Sequence, residues 1–101
     1  MQELTGKQKR HLRALGQRLS VTVSVGVEGG SDAVVRQVRH LLATHELIKV
    51  RIPAGTGTAR RQLAAELADK AQAACAGVVG RTALLYHPNE DIPPDKRILF
   101  G

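Results

Sequence analysis

Gly26-Val27-Glu28-Gly29-Gly30 stands between the alternating run Val21-Thr22-Val23-Ser24-Val25 and a helix-like stretch that opens near Ser31. A G-x-x-G turn leading from a strand into a helix brings bare backbone close to a ligand, because glycine reaches positive φ without steric cost. The first amides of a helix have no partner inside it, and with the helix dipole they form a site suited to a phosphate. The surrounding chain carries 15 Lys+Arg against 9 Asp+Glu, a formal charge of +6, with a pI near 10.3. That balance favours an anionic partner, and nucleic acid above others. Lys7, Lys9, Arg10 and Arg13 collect on one face of a first helix. Lys49 and Arg51 share the face of a strand opposite Ile48, Val50 and Ile52. Two cations side by side on an open sheet face repel each other, so an anion is expected there.

Other chemistries find little support. His11, His40, His45 and His87 are scattered, and the five-residue step from His40 to His45 does not align two ligands on one helical face. Cys75 is the lone cysteine, so there is no thiol pair for a metal and no internal disulfide; within Ala73-Ala74-Cys75-Ala76 it reads as a small core thiol. No G-x-S-x-G elbow occurs, and Gly55-Thr56-Gly57-Thr58 lacks the spacing and lysine of a Walker loop. We therefore expect no catalytic residue, no metal and no cofactor. The start of the chain has no apolar signal-like region and no run reaches membrane-spanning length, so a soluble, cytoplasmic protein is expected. With only Tyr86 and Phe100 as aromatics, base stacking cannot dominate, which leaves backbone recognition by cations and a glycine loop.

The elements that must position these residues follow from periodicity. A chain of 101 residues is one domain and buries about two-thirds of its unfolded surface. Thr5 with Gln8 resembles a capping box for a helix over about residues 5–15, with Leu12 and Leu15 inward and Gly16 as its stop. Val21, Val23 and Val25 mark one face of a first strand. Ser31 or Asp32 caps a second helix whose stripe is Val34, Val35, Val38, Leu41 and Leu42. Residues 47–52 read as a second strand ended by Pro53. Thr58 is read as the cap of a long third helix reaching about Ala76, with Gly77 in the left-handed position past its end. Val78-Val79 and residues 82–86 give two short strands around Gly80-Arg81, or one strand with a bulge. The expected fold is a compact α/β domain of order α-β-α-β-α-β-β, with helices largely on one face of the sheet and right-handed, parallel crossovers. Residues 1–88 form the domain; Pro88, Pro93 and Pro94 make residues 89–101 a flexible or extended tail.

Four segments together resemble a known family. They are residues 5–13 (TGKQKRHLR), Val25-Gly26-x-x-Gly29, His45-Glu46-Leu47-Ile48-Lys49-Val50 and Gly80-Arg81-Thr82-x-x-Leu85-Tyr86, in that order. They are similar to the CRM domain, the chloroplast RNA splicing and ribosome maturation family, and most to its stand-alone bacterial YhbY-like members. The resemblance covers about residues 4 to 88. It implies a four-stranded mixed sheet with helices packed on it, similar to the C-terminal domain of translation initiation factor three. It also implies RNA binding, with precursors of the large ribosomal subunit as the associated particle. Carried over by position, the RNA-binding residues are Gly26, Val27, Glu28, Gly29 and the adjoining Gly30, then Lys7, Lys9, Arg10, Arg13, Lys49, Arg51 and the turn cation Arg81. Glu28 departs from the neutral or basic residues usual in that loop and would repel a phosphate, so the loop supplies shape and amides while the cations supply charge. The expectation is a monomeric, non-catalytic ribosome assembly factor whose partner is ribosomal RNA. The alternative is a protein-binding adaptor on the ribosome or a translation factor, using the same basic surface.

Overall fold

The computed structural model describes residues 4–26, 31–53, 55–89 and 91–98. Thr5 caps α1 (Gly6–Gly16): its hydroxyl accepts from the Gln8 amide while the Gln8 side chain accepts from the Thr5 amide, the reciprocal bonds expected from the sequence. β1 (Val21–Ser24) follows, and Ser31 caps α2 (Asp32–Leu42) through its hydroxyl and the Val34 amide. β2 (Leu47–Arg51) leads to α3 (Gly57–Lys70), then β3 (Ala74–Val79) and β4 (Thr82–Tyr86). A short 3-10 turn, Pro94–Lys96, lies beyond β4.

The strands form one mixed sheet in the order β1-β2-β4-β3. β1 and β2 are parallel, as a right-handed crossover through α2 demands, whereas β2–β4 and β4–β3 are antiparallel. On one face Val23, Val25, Ile48, Val50, Ile52 and Leu85 pack against Val38 and Leu42 of α2 and Leu67 and Ala68 of α3. On the other, Leu47, Ala76, Leu84 and Tyr86 pack under Leu12 of α1, which is fully buried. Helices thus cover both faces, a correction to the one-sided arrangement expected for so short a chain. Leu12 and Leu15 provide the apolar side that a second helix layer requires.

Three further readings are corrected. Thr56, not Thr58, caps α3, its hydroxyl accepting from the Ala59 amide. The helix ends at Lys70 rather than near Ala76, because Gln72 takes the left-handed φ of 58° and the Ala73 amide turns back to the Ala68 carbonyl. Residues 74–76 are consistent with a helix by composition, but pairing of Ala74 with Tyr86 and Cys75 with Leu85 makes them strand. Gly16 does end α1, as expected, though without a left-handed turn, whereas Gly77 lies within β3; both are places of close approach. A Cβ on Gly16 would sit 2.6 Å from the Leu84 methyls, and one on Gly77 would sit 2.9 Å from Arg13 Cδ. Between β3 and β4 the Val79↔Thr82 pair closes a two-residue turn, with Gly80 at φ 59° where such turns need a positive φ.

The described residues after β4 make specific contacts that the reading of 89–101 as a flexible or extended tail did not anticipate. Glu46 is 4% exposed, and its carboxylate accepts from the Asn89 amide at 2.9 Å and the Ile98 amide at 2.6 Å. Arg97 Nε lies 3.5 Å from the same group. The Asn89 side chain caps the end of α2 by donating to the Ala43 carbonyl, and Ile92 is buried.

Candidate nucleic-acid interface

Pairing across the sheet assembles the candidate residues row by row. Arg51 of β2 is in register with Ser24 of β1 and Thr82 of β4. The Val25 amide donates to the Arg51 carbonyl at 2.8 Å, which sets Gly26 beside the end of β2. The Ile52 amide donates to the Arg81 carbonyl at 2.9 Å, so the β3–β4 turn reaches the same end. Gly26, Arg51 and Arg81 are thus brought to one end of the sheet, the carboxyl end of the parallel strands where α/β folds commonly place ligands. All three are exposed. Val27, Glu28, Gly29 and Gly30 lie outside the described residues.

Lys49 sits one step back from Arg51 on the same face, opposite Leu84 of β4, and Leu84 in turn opposes Gly77 of β3. The stem of Arg13 lies on Gly77, where any side chain would displace it. Arg13 and Lys49 therefore flank Leu84 two strands apart, about 10 Å, with the Gly16 end of α1 seated between them. Lys7, Lys9 and Arg10 share the exposed side of α1 with Arg13. They occupy the α1 face of the sheet but not the row of Arg51, so the structure divides the sequence-selected cations between a helix surface and a strand end.

The charge of Lys9 is felt by a half-buried group. Burial pushes the Cys75 thiol above its ordinary value, opposed by a backbone hydrogen bond with Gly77 and by the charge of Lys9. A thiol so placed is a weak nucleophile at neutral pH. Tyr86 is likewise raised, first by burial and then by the nearby Glu46 carboxylate, with Arg97 acting the other way.

Two cations that the sequence reading did not select also lie toward this end. Arg60 and Arg61 stand in the first turns of α3, the element that follows β2. Arg60 Nη1 donates to the Gly55 carbonyl at 2.7 Å and Arg61 Nη2 to the Thr58 hydroxyl at 3.4 Å. The signal was available: two successive β-α crossovers start their helices at the same sheet end. In contrast, Asp32 places an acid in the first turn of α2, so attraction for an anion here rests on the arginines rather than on that helix.

Two of the histidines hold local partners. His45 Nδ1 is 2.9 Å from the Thr44 hydroxyl and His87 Nδ1 is 2.8 Å from the Gln72 carbonyl. Among the described residues no three of His, Cys, Asp and Glu gather to hold a metal, and no helix is long and apolar enough to cross a membrane.

Comparison with known proteins bears on this arrangement. An "RNA-binding protein" of Haemophilus influenzae is 29% identical over 91 residues, spanning 90% of this chain and 92% of that one. A "Probable RNA-binding protein YqeI" of Bacillus subtilis is 31% identical over 88 residues, 87% of this chain and 92% of its own. The solution structure of a Staphylococcus aureus protein, described as a candidate RNA binder, superposes with a TM-score of 0.81 at 28% identity, covering 96% of this chain and 99% of that one. The profile of the CRS1/YhbY (CRM) domain matches residues 4–87, which include α1, the Gly26 segment, the β2 cations and the β3–β4 turn. The motifs, the sheet order and the matched span agree, and the chain belongs to the CRS1/YhbY (CRM) domain family.

Proposed function

We propose that this protein binds RNA without catalysing a reaction, and acts as a monomeric, cytoplasmic ribosome assembly factor on ribosomal RNA of the precursor large subunit. The observation that carries the reading is the register Ser24–Arg51–Thr82 together with the Ile52–Arg81 bond. It gathers Gly26, Arg51 and Arg81 at one sheet end, on a molecule whose α1 face adds Lys7, Lys9, Arg10, Arg13 and Lys49. Family membership and relatives named as RNA-binding proteins support the choice of RNA as the anion. In this reading the segment Gly26 to Gly30 contributes backbone amides, and the cations supply the attraction.

The test is equilibrium binding to large-subunit ribosomal RNA fragments over a range of salt. Engagement of four phosphates gives a slope of about −3 in log K against log salt, a loss of about 60-fold between 50 and 200 mM. Arg51→Gln and Lys49→Gln should each lower the slope by about 1. Affinity that does not fall with salt refutes a phosphate-held interface. Equal affinity for unrelated RNA of the same length removes the ribosomal assignment while leaving RNA binding intact. Gly29→Asp, placing a carboxylate in the loop, should weaken binding further; unchanged affinity would take the loop out of the interface.

A further inference from the structure

α1 stops short of covering its face of the sheet. Gly16 rests on Leu84, and the next row on that face, Val79–Thr82–Arg51–Ser24, runs across all four strands with no described helix above it. Alternation fixes which side these residues occupy. Val78, Ala83, Val50 and Val23 are their strand neighbours, and Val78, Val50 and Val23 pack into the core shared with α2 and α3. Val79 is 61% exposed and is the exposed large hydrophobic residue among those described. A lone exposed valine is ordinary. This one adjoins Gly80 and Arg81 and lies in the row of Arg51, two strands or about 10 Å away, within reach of an arginine side chain. The Thr82 hydroxyl is committed to the Val79 carbonyl at 2.9 Å, so it offers no free proton to a ligand. A Cβ built on Gly80 meets nothing within 4 Å, leaving the turn open on its outer side. No acid among the described residues occupies this row or the turn.

The strip therefore pairs a small apolar surface with cations on both sides, next to the phosphate-suited end of the sheet. Duplex RNA presents phosphates and 2′-hydroxyls across its accessible groove, and an exposed aliphatic side chain gains nothing from them. An unpaired nucleotide offers a flat apolar face with a charge attached. We propose that this strip holds one unpaired nucleotide of the bound RNA, its base lying on Val79 and on the guanidinium plane of Arg81 or Arg51, its phosphate on Arg51 and Lys49. This rests on the RNA-binding reading and goes beyond it. With so few aromatic residues, an aliphatic side chain and guanidinium planes take the place of the stacking rings used by sheet-based RNA modules.

The experiment compares Val79→Ser and the isosteric Val79→Thr with the unaltered protein, each checked for an unchanged melting temperature. Binding is measured to a ribosomal RNA hairpin with an unpaired loop and to a fully paired duplex of equal length, across salt. The expected result is a loss of about fivefold on the hairpin for Val79→Ser, no loss on the duplex, and an unchanged salt slope, since no ion pair is removed. Arg51→Gln should weaken both RNAs and flatten both slopes. If Val79→Ser and Val79→Thr bind the hairpin as the parent does while Arg51→Gln weakens it, the strip holds no base and the RNA-binding reading stands. If the parent binds neither RNA but captures an acidic peptide through Arg51, both fall.

Discussion

Removing the Glu46 carboxylate should loosen the segment after β4 and cost the domain a measurable part of its stability. Two backbone donors, from Asn89 and Ile98, end on this one buried group. Hydrogen bonds to a charged acceptor contribute about 1.5–3 kcal/mol each, and the low end applies because both amides are only partly buried. The Arg97 side chain is 33% exposed and 3.5 Å away, so its ion pair adds less than about 1 kcal/mol. Glu46→Ala leaves both amides without an acceptor and should cost about 3–4 kcal/mol. Glu46→Gln keeps the shape and one acceptor oxygen, but its amide nitrogen cannot accept, so one donor is lost at about 1.5–2 kcal/mol. For a domain of this size these translate to falls in melting temperature of about 20 °C and about 10 °C. Arg97→Gln should cost under about 1 kcal/mol. RNA affinity measured well below each melting point should stay at the parental value, because Glu46 lies at the far end of β2 from Arg51, about 17 Å away. A Glu46→Gln protein melting within about 2 °C of the parent would refute the reasoning. An Arg97→Gln loss equal to that of Glu46→Ala would shift the role from the amides to the ion pair.

Gly16→Ala should destabilise by about 1 kcal/mol in urea unfolding: a helical alanine gains about 0.5–1 kcal/mol over glycine, but Leu84, itself buried, must give way to a Cβ at 2.6 Å. Gly77→Ala should leave stability within about 0.5 kcal/mol, since exposed Arg13 can swing aside, yet lower RNA affinity by displacing that cation; an unchanged affinity would remove Arg13 from the interface. Stability should fall as pH rises above about 9, because Cys75 and Tyr86 are raised in the fold and the unfolded chain there has already released protons that the folded chain retains. Urea midpoints at pH 7 and pH 10 check this, and Cys75→Ala should lessen the difference. Native Cys75 should also react with a disulfide reagent at pH 7.5 far more slowly than in the denatured chain.

The elements with their own periodicity were legible in the sequence. Thr5 and Gln8 form the capping box that their spacing announces, and Ile48, Val50 and Ile52 meet one core with Val23 and Val25 as their alternation predicts, whereas a register shift in β1 pairs Val21 with Lys49 and leaves it out of that core. What failed to read correctly depends on contacts distant in sequence. Residues 73–76 carry small side chains that suit a helix locally, and only pairing with β4 makes residues 74–76 part of an edge strand. Their smallness serves the sheet, since Ala76 lies fully buried under α1 and Gly77 accommodates Arg13. Gln72, a non-glycine residue at φ 58°, ends α3 where no local rule placed a stop. Glu46 becomes a buried acceptor only because the chain returns to it at Asn89 and Ile98, more than forty residues on.

The candidate site divides in the same way. Strand alternation was enough to select Lys49 and Arg51, and the family resemblance added Arg81, but neither says which stand together, since that is a matter of register. The antiparallel pairing of β2 with β4 aligns Arg51 with Thr82, and a one-residue slip would turn Arg51 toward α2 and α3 and bring Val50 to the open face. Register is held by the apolar demands of the covered faces: Ile48, Val50 and Ile52 must meet one core, and Leu47 the other. The positions of the exposed cations are thus set by buried neighbours that never touch a ligand. A conservative change inside β2, such as Val50→Thr, would leave every cation in place in the sequence. By burying an unsatisfied hydroxyl it would still threaten the alignment on which Arg51 and Arg81 meet.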